Sequence, residues 1–152
     1  MKIIVVSDSH GNTSLLREIK EKYYDADLFI HCGDYELPEY LMNGFMHVKG
    51  NCDYDNDAPN RIDIPTKWGN IHVEHGNSYQ FMCNKKEYIK NLNAFIFLFG
   101  HTHEKLETKV GNTYLFNPGS LTYPRDSNTG SFLVINIDEK TNEIKWKFID
   151  IE

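Results

Sequence analysis

The chain has little cysteine. Only Cys32, Cys52 and Cys83 occur among its 152 residues, widely spaced and with no CxxC pair. An odd number at that spacing excludes a disulfide framework and suits a reducing compartment. Long apolar runs are lacking as well. The longest, residues 94–99, has the length of a strand, well short of the roughly 20 apolar residues that span a bilayer. The opening MKIIVVSDSHGN turns polar at Ser7, too early for a secretion signal. These absences lead to the expectation of a cytoplasmic protein with no membrane partner. Basic charge is also short, with 16 Lys and Arg against 22 Asp and Glu and a formal net charge of −6. A nucleic-acid polymer is therefore a poor candidate partner, because binding its backbone needs a basic face. Repeats, low-complexity stretches and linkers are absent, and the length fits one domain, residues 1–152.

What is present is an α/β pattern followed by a β-rich one. Residues 2–7 (KIIVVS) form a continuous β-branched run, as in a strand buried on both faces. Leu15, Leu16, Ile19 and Tyr23 then recur at helical spacing behind Thr13 or Ser14 as the expected cap. Residues 27–32 (DLFIHC) read as a second strand, which completes a βαβ unit and implies parallel pairing. A short helix near residues 37–42 leads to a third strand, 45–49. Residues 61–65 and 70–74 alternate apolar and polar around a turn at Lys67-Trp68-Gly69. Residues 85–91 predict a helix, 94–99 a buried strand, and 106–110, 113–117, 131–137 and 143–149 four further strands. So many strands in a short chain suggest two mixed sheets packed face to face, with helices outside.

The chemistry-bearing residues follow the strands. After the first come Asp8 and His10; after the second, Gly33 and Asp34; after the third, Gly50, Asn51, Cys52 and Asp53. His75-Gly76 follows the strand at 70–74, and Gly100-His101-Thr102-His103 follows the one at 94–99. Ligand crevices in open α/β sheets lie at the carboxyl ends of strands, so these groups should converge. Asp8, His10, Asp34, Asn51, His75, His101 and His103 are too many ligands for one transition metal and suit two. Nitrogen and oxygen donors without thiolate favour Mn, Fe, Co, Ni or Zn. Two ions bring +4, Asp8 and Asp34 bring −2 and a bridging hydroxide −1. The remaining +1 matches a phosphodiester monoanion.

In these motifs the sequence resembles the calcineurin-like metallophosphoesterases, and most closely their small YfcE-type phosphodiesterase branch. The pattern DxH, GD, GN followed by His or Cys and an acid, a lone His, and GHxH is met in order between residues 8 and 103. The Asn-Pro-Gly-Ser turn of the small branch is present at residues 117–120. The resemblance implies a four-layer αββα sandwich. It implies that Asp8, His10 and His103 hold one ion, that Asn51, His75 and His101 hold the other, and that Asp34 bridges them with a water. It also implies catalysis by Asp34, Asn51, Cys52 and His10: a metal-bridging hydroxide attacks phosphorus of a small phosphodiester, with Mn first among the metals. A homodimer or homotetramer is implied as well. Phosphomonoester hydrolysis is one alternative activity, and a non-catalytic protein-binding scaffold on the same fold is another; the complete ligand set argues against the scaffold.

Cys52 departs from the larger family, which places a histidine there to help the leaving group depart. A thiol is a weak donor and supplies no imidazolium charge, so good leaving groups should be favoured. Asp53 reads as an acid that orients a ligand histidine. Asn51, Ser120 and Arg125 are the expected contacts to substrate phosphate. His31, His47 and His72 read as structural, Cys32 as core, and Trp68 and Trp146 as packing residues. Loops 36–39, 54–60 and 79–86 are expected to shape the pocket.

Overall fold

Hydrophobic alternation builds the two sheets. In the computed structural model, which describes residues 1–54 and 57–152, Ile3 and Val5 of β1 (Lys2–Val6) point into one apolar cluster and Ile4 and Val6 into another. That is the period-two geometry of a strand buried on both faces. The first sheet has the order β10-β9-β1-β2-β3, with β2 at Leu28–His31, β3 at Met46–His47, β9 at Ser131–Ile137 and β10 at Ile144–Asp150. β1 pairs parallel with β2, with Ile3 opposite Leu28, and antiparallel with β9, with Ile3 opposite Ile135.

The second sheet runs β4-β5-β6-β8-β7: β4 Arg61–Thr66, β5 Gly69–Glu74, β6 Ile96–Leu98, β7 Lys105–Val110 and β8 Thr113–Pro118. β5, β6 and β8 are parallel neighbours, while the tight turns give antiparallel β4–β5 and β7–β8 pairs. The shared core is the space between the sheets, filled by Ile3, Val5, Ile30 and Leu133 from one and Ile71, Val73, Leu98 and Phe116 from the other. Each outer face is covered by helix. Helix α1 (Thr13–Lys22) lays Leu16 and Ile19 against Ile4, Val6 and Phe132. Helices α2 (Tyr79–Cys83) and α3 (Lys85–Leu92) lay Phe81 and Ile89 against Phe97, Phe99 and Leu115. The fold is thus the expected four-layer αββα sandwich of two mixed sheets. Among the described residues, no helix is long and apolar enough to cross a membrane.

Local details differ from the sequence reading for identifiable reasons. The cap of α1 is Asn12, whose side-chain oxygen accepts from the Leu15 N–H at 3.2 Å; Thr13 and Ser14 are already helical. The third strand shrinks to Met46–His47, and the helix near 37–42 is a single 3-10 turn, Glu39–Met42, behind Pro38. Part of the expected loop 79–86 is helix α2, capped by the Ser78 hydroxyl on the Phe81 N–H at 3.2 Å. Of the loop 54–60, residues 55 and 56 lie outside the described residues. Trp68 packs on Phe95 and Trp146 on Phe116.

Candidate metal centre

The strand ends turn so sharply that non-glycine residues take left-handed backbone. Asp8, His10, Asp34, His101 and His103 all have φ between +43° and +70°, as does Glu36 at +49°. Asp and His tolerate this region better than most residues, yet each such position costs about 1–3 kcal/mol unless its surroundings enforce it. The loops here are packed too closely to relax. A Cβ on Gly50 would lie 2.1 Å from Asp34 Oδ1, and one on Gly100 would lie 2.0 Å from Ser7 Oγ and 2.6 Å from Asp8 Oδ2.

Buried hydrogen bonds join the loops. Ser7 and the His101 N–H donate to Asp8 Oδ2 at 2.6 and 3.1 Å, which leaves Oδ1 of this fully buried carboxylate. The Cys52 N–H donates to Asp34 Oδ1 at 2.8 Å. His31, fully buried, accepts the Gly33 N–H at Nδ1 (3.1 Å), so its neutral ring carries the proton on Nε2 and donates to Ser9 Oγ at 2.8 Å. Burial holds its pKa down to about 3, so it stays neutral and ties the first two ligand loops together.

The four candidate histidines share one orientation. Nδ1 of His75 faces the Cys32 carbonyl at 2.8 Å, and Nδ1 of His103 faces the Tyr123 carbonyl at 2.7 Å. Nδ1 of His101 meets Asn51 Oδ1 at 3.1 Å, and Nδ1 of His10 meets the Glu36 carboxylate. Each of these partners accepts, so Nδ1 keeps its proton and, in the neutral ring, Nε2 offers a lone pair. The Nε2 atoms of His103, His75 and His10 stand 3.2, 3.9 and 4.0 Å from Asp8 Oδ1, and His75 Nε2 stands 3.3 Å from Asp34 Oδ2. Yet Asp8 Oδ1, His10 Nε2 and His75 Nε2 are buried without a hydrogen-bond partner. Ligand atoms about 2.1 Å from a common ion stand roughly 3.0–3.4 Å apart, which the His103–Asp8 and His75–Asp34 pairs match while His75 and His10 stand wider of Asp8, a donor set suited to a divalent cation.

Ligand atoms of Asp8, His10 and His103 lie within 4.8 Å of one another, and so do those of Asp8, Asp34 and His75. The carboxylate common to both clusters is Asp8, whereas the resemblance gives the joining role to Asp34. Asn51 and His101 sit beside the second cluster, bonded to each other, with the His101 ring 5.1 Å from that of His75.

The electrostatics agree with a site that keeps its carboxylates ionised. Burial would raise Asp34, but the His75 ring, charged in the apoprotein, and the Cys52 N–H outweigh it and hold it at about 2. Asp8 is likewise lowered: burial works against ionisation, and His103, His75 and Ser7 overcome it. Burial, then Asp34, pushes the Cys52 thiol up to about 11.

Two expected roles are corrected. Among the described residues Asp53 meets no histidine; its oxygens accept the N–H groups of Asp34, Glu36 and Gly50, each at 2.8 Å, and so shape the loops. Ser120 is fully buried beneath the site, where its hydroxyl donates to the Asp8 carbonyl at 2.7 Å and accepts the Thr122 and Tyr123 N–H groups, leaving nothing for a substrate. Arg125 is exposed and joined to the site through its N–H on the His103 carbonyl at 3.0 Å. The sequence reading missed Glu36, the carboxylate that does face a candidate ligand histidine. Its only sequence signal is an acid two residues beyond Gly33-Asp34.

Comparisons with known proteins agree with this geometry. The model of the calcineurin-like phosphoesterase superfamily domain matches residues 1–140. The probable metallophosphoesterase YsnB of Bacillus subtilis is 29% identical, over 96% of this chain and 90% of its own length. The phosphodiesterase YfcE of Escherichia coli is 25% identical, over 91% and 89%. A predicted phosphoesterase from Streptococcus pneumoniae superposes with a TM-score of 0.83 at 28% identity, covering 99% of this chain and 97% of that one. Vps29 of Entamoeba histolytica, solved with zinc, shares the fold with a TM-score of 0.72 at 20% identity, covering 99% of each chain.

Proposed function

The chain belongs to the calcineurin-like phosphoesterase superfamily, and from that premise we propose that it is a cytoplasmic phosphodiesterase working with two divalent transition metal ions, Mn first among them. The observation that carries the reading is the shared orientation of four histidines. Each Nδ1 is tied to an acceptor, and Nε2 of His10 and His75 lies buried, without a partner, beside Asp8 and Asp34. A lone tautomer of this kind is common in packed proteins; four around two ionised carboxylates are the arrangement a cation needs.

Asp8, His10 and His103 would hold one ion, and Asp34, His75, His101 and Asn51 the other, with Asp8 and Asp34 lying between. Bound ions would polarise the phosphoryl oxygens and lower the pKa of a water. The chain's own residues do the rest. Asp8 and Asp34 supply negative charge that stays ionised across the neutral range. The Cys52 N–H fixes Asp34 Oδ1, and the His101 N–H with the Ser7 hydroxyl fixes Asp8 Oδ2. Arg125 and the Asn51 amide would contact the phosphate. Cys52 keeps its proton and is a poor acid, which selects substrates whose alcohols leave well.

The test is metal reconstitution of the chelated protein, followed by a panel of mono- and diesters with Mn²⁺, Ni²⁺, Co²⁺ or Zn²⁺. Turnover of aryl phosphodiesters that Asp34→Asn abolishes is the expected result. No turnover with any metal overturns the reading, and a preference for monoesters replaces the substrate class. The scaffold alternative has no observation in its favour beyond the shared fold with Vps29.

A further inference from the structure

The turn at residues 50–53 separates two recesses beside the candidate centre. Leu37, Pro38 and Tyr54 line one, of about 400 Å³, together with the acids Glu36 and Asp53 and with Cys52. Gly50 and His75 border the other, of about 300 Å³, and its wall carries Lys49, Arg61, Asn60, Asn77 and Gln80. The second recess is polar and cationic. Among the described residues no carboxylate forms an ion pair with Lys49 or Arg61; Arg61 Nη1 instead donates to the Tyr88 hydroxyl at 3.1 Å.

The one acid among the described residues of that wall, Glu74, is almost fully buried. It is met from within by the Tyr88 hydroxyl at 2.6 Å and by His72 Nε2 at 2.8 Å. The recess therefore presents the Lys49 ammonium, the Arg61 guanidinium, partly offset by Glu74 opposite it and by Asp63, and several amide donors, with no aromatic or aliphatic floor. The first recess presents acids and apolar surface. An anion is favoured in one and repelled from the other.

We propose that the recess at Lys49 and Arg61 binds a second anionic group, a carboxylate or phosphate carried on one ester arm, so that the substrate is a phosphodiester with one anionic and one uncharged arm laid across the turn 50–53. The inference rests on the phosphodiesterase reading and adds the charge of the substrate to it.

A series of 4-nitrophenyl phosphodiesters tests it with the metal-loaded protein. The second arm is 2-hydroxyethyl, 2-carboxyethyl, 2-phosphonoethyl or choline, and nitrophenolate leaves in every case. The expected wild-type result is a kcat/KM at least about tenfold higher for an anionic arm than for choline, carried mainly by KM, with the carboxylate and phosphonate distinguishing the source of the charge. In Lys49→Gln/Arg61→Gln that ratio collapses towards one; in Lys49→Glu it inverts; in Lys49→Arg it is retained. Reading the ratio within each variant cancels any general loss of activity or folding. Turnover of the neutral ester without charge preference, or a preference the double variant keeps, overturns the subsite alone. Absence of turnover for every ester overturns the phosphodiesterase reading beneath it.

Discussion

Glu36 holds Nδ1 of His10 while the Nε2 atom of the same ring points, unpartnered and buried, towards Asp8. The other three candidate histidines rest on carbonyl or amide oxygens, so His10 is the one whose ring is oriented by a carboxylate. A full negative charge on Nδ1–H makes the imidazole a stronger donor at Nε2. Glu36→Gln keeps a hydrogen bond but removes the charge. We expect metal affinity, titrated calorimetrically on the chelated protein, to fall by about 10- to 100-fold at one of two sites. Unchanged affinity at both sites would show that Glu36 is an ordinary surface acid.

Metal should also stabilise the fold. Three buried atoms without hydrogen-bond partners are a cost that a bound cation removes. Saturation at 100 times Kd contributes about 2.7 kcal/mol, which raises the melting temperature of a chain this size by roughly 5–11 °C. Chelation should reverse the shift. In Asp8→Asn, which neutralises the carboxylate common to both clusters, most of the shift should vanish in a thermal scan with Mn²⁺.

His72 gives the apoprotein a pH dependence outside the centre. Burial disfavours its charged form, but Glu74 at 2.8 Å and Asp63 at 2.9 Å outweigh that and raise its pKa. A raised histidine stabilises the fold fully below its unfolded value near 6.5 and loses that contribution as pH rises through the folded value. Urea unfolding of the chelated protein should therefore show wild type losing stability relative to His72→Gln as pH rises above about 6.5. Parallel curves would mean that folding leaves the His72 pKa where it is in the unfolded chain.

Cys52 supplies the fourth expectation. Its thiol is held protonated up to about 11, which makes it a poor acid for a departing alkoxide. Across aryl and alkyl diesters, wild-type rates should fall steeply as the leaving-group pKa rises. Cys52→His should flatten that slope and gain most on alkyl esters. The same slope in both proteins would mean that residue 52 takes no part in leaving-group departure.

Much of the fold was legible because burial on both faces writes itself into composition. The runs KIIVVS and DLFIHC and the alternation at 61–65 and 70–74 located their strands to within a residue or two, since a strand buried on both faces admits few polar side chains and one buried on a single face alternates. Met46–His47 and α2 were misjudged because short elements take their form from what they pack against. Phe81 of α2 is helical where it meets Phe97 and Phe99.

The sequence by itself determined which residues stand at the strand ends, and therefore the chemical kind of the site: nitrogen and oxygen donors, no thiolate cluster, two carboxylates. Only the tertiary structure decided what each one does there. Asp53 and Ser120 became supports for backbone loops, Glu36 became the partner of His10, and Lys49 and Arg61 came to share a recess beside His75. The physical reason is range. A strand's burial is settled by its own few residues, whereas hydrogen-bond partners 18 to 112 positions apart in the chain meet only after both sheets have closed on their common core.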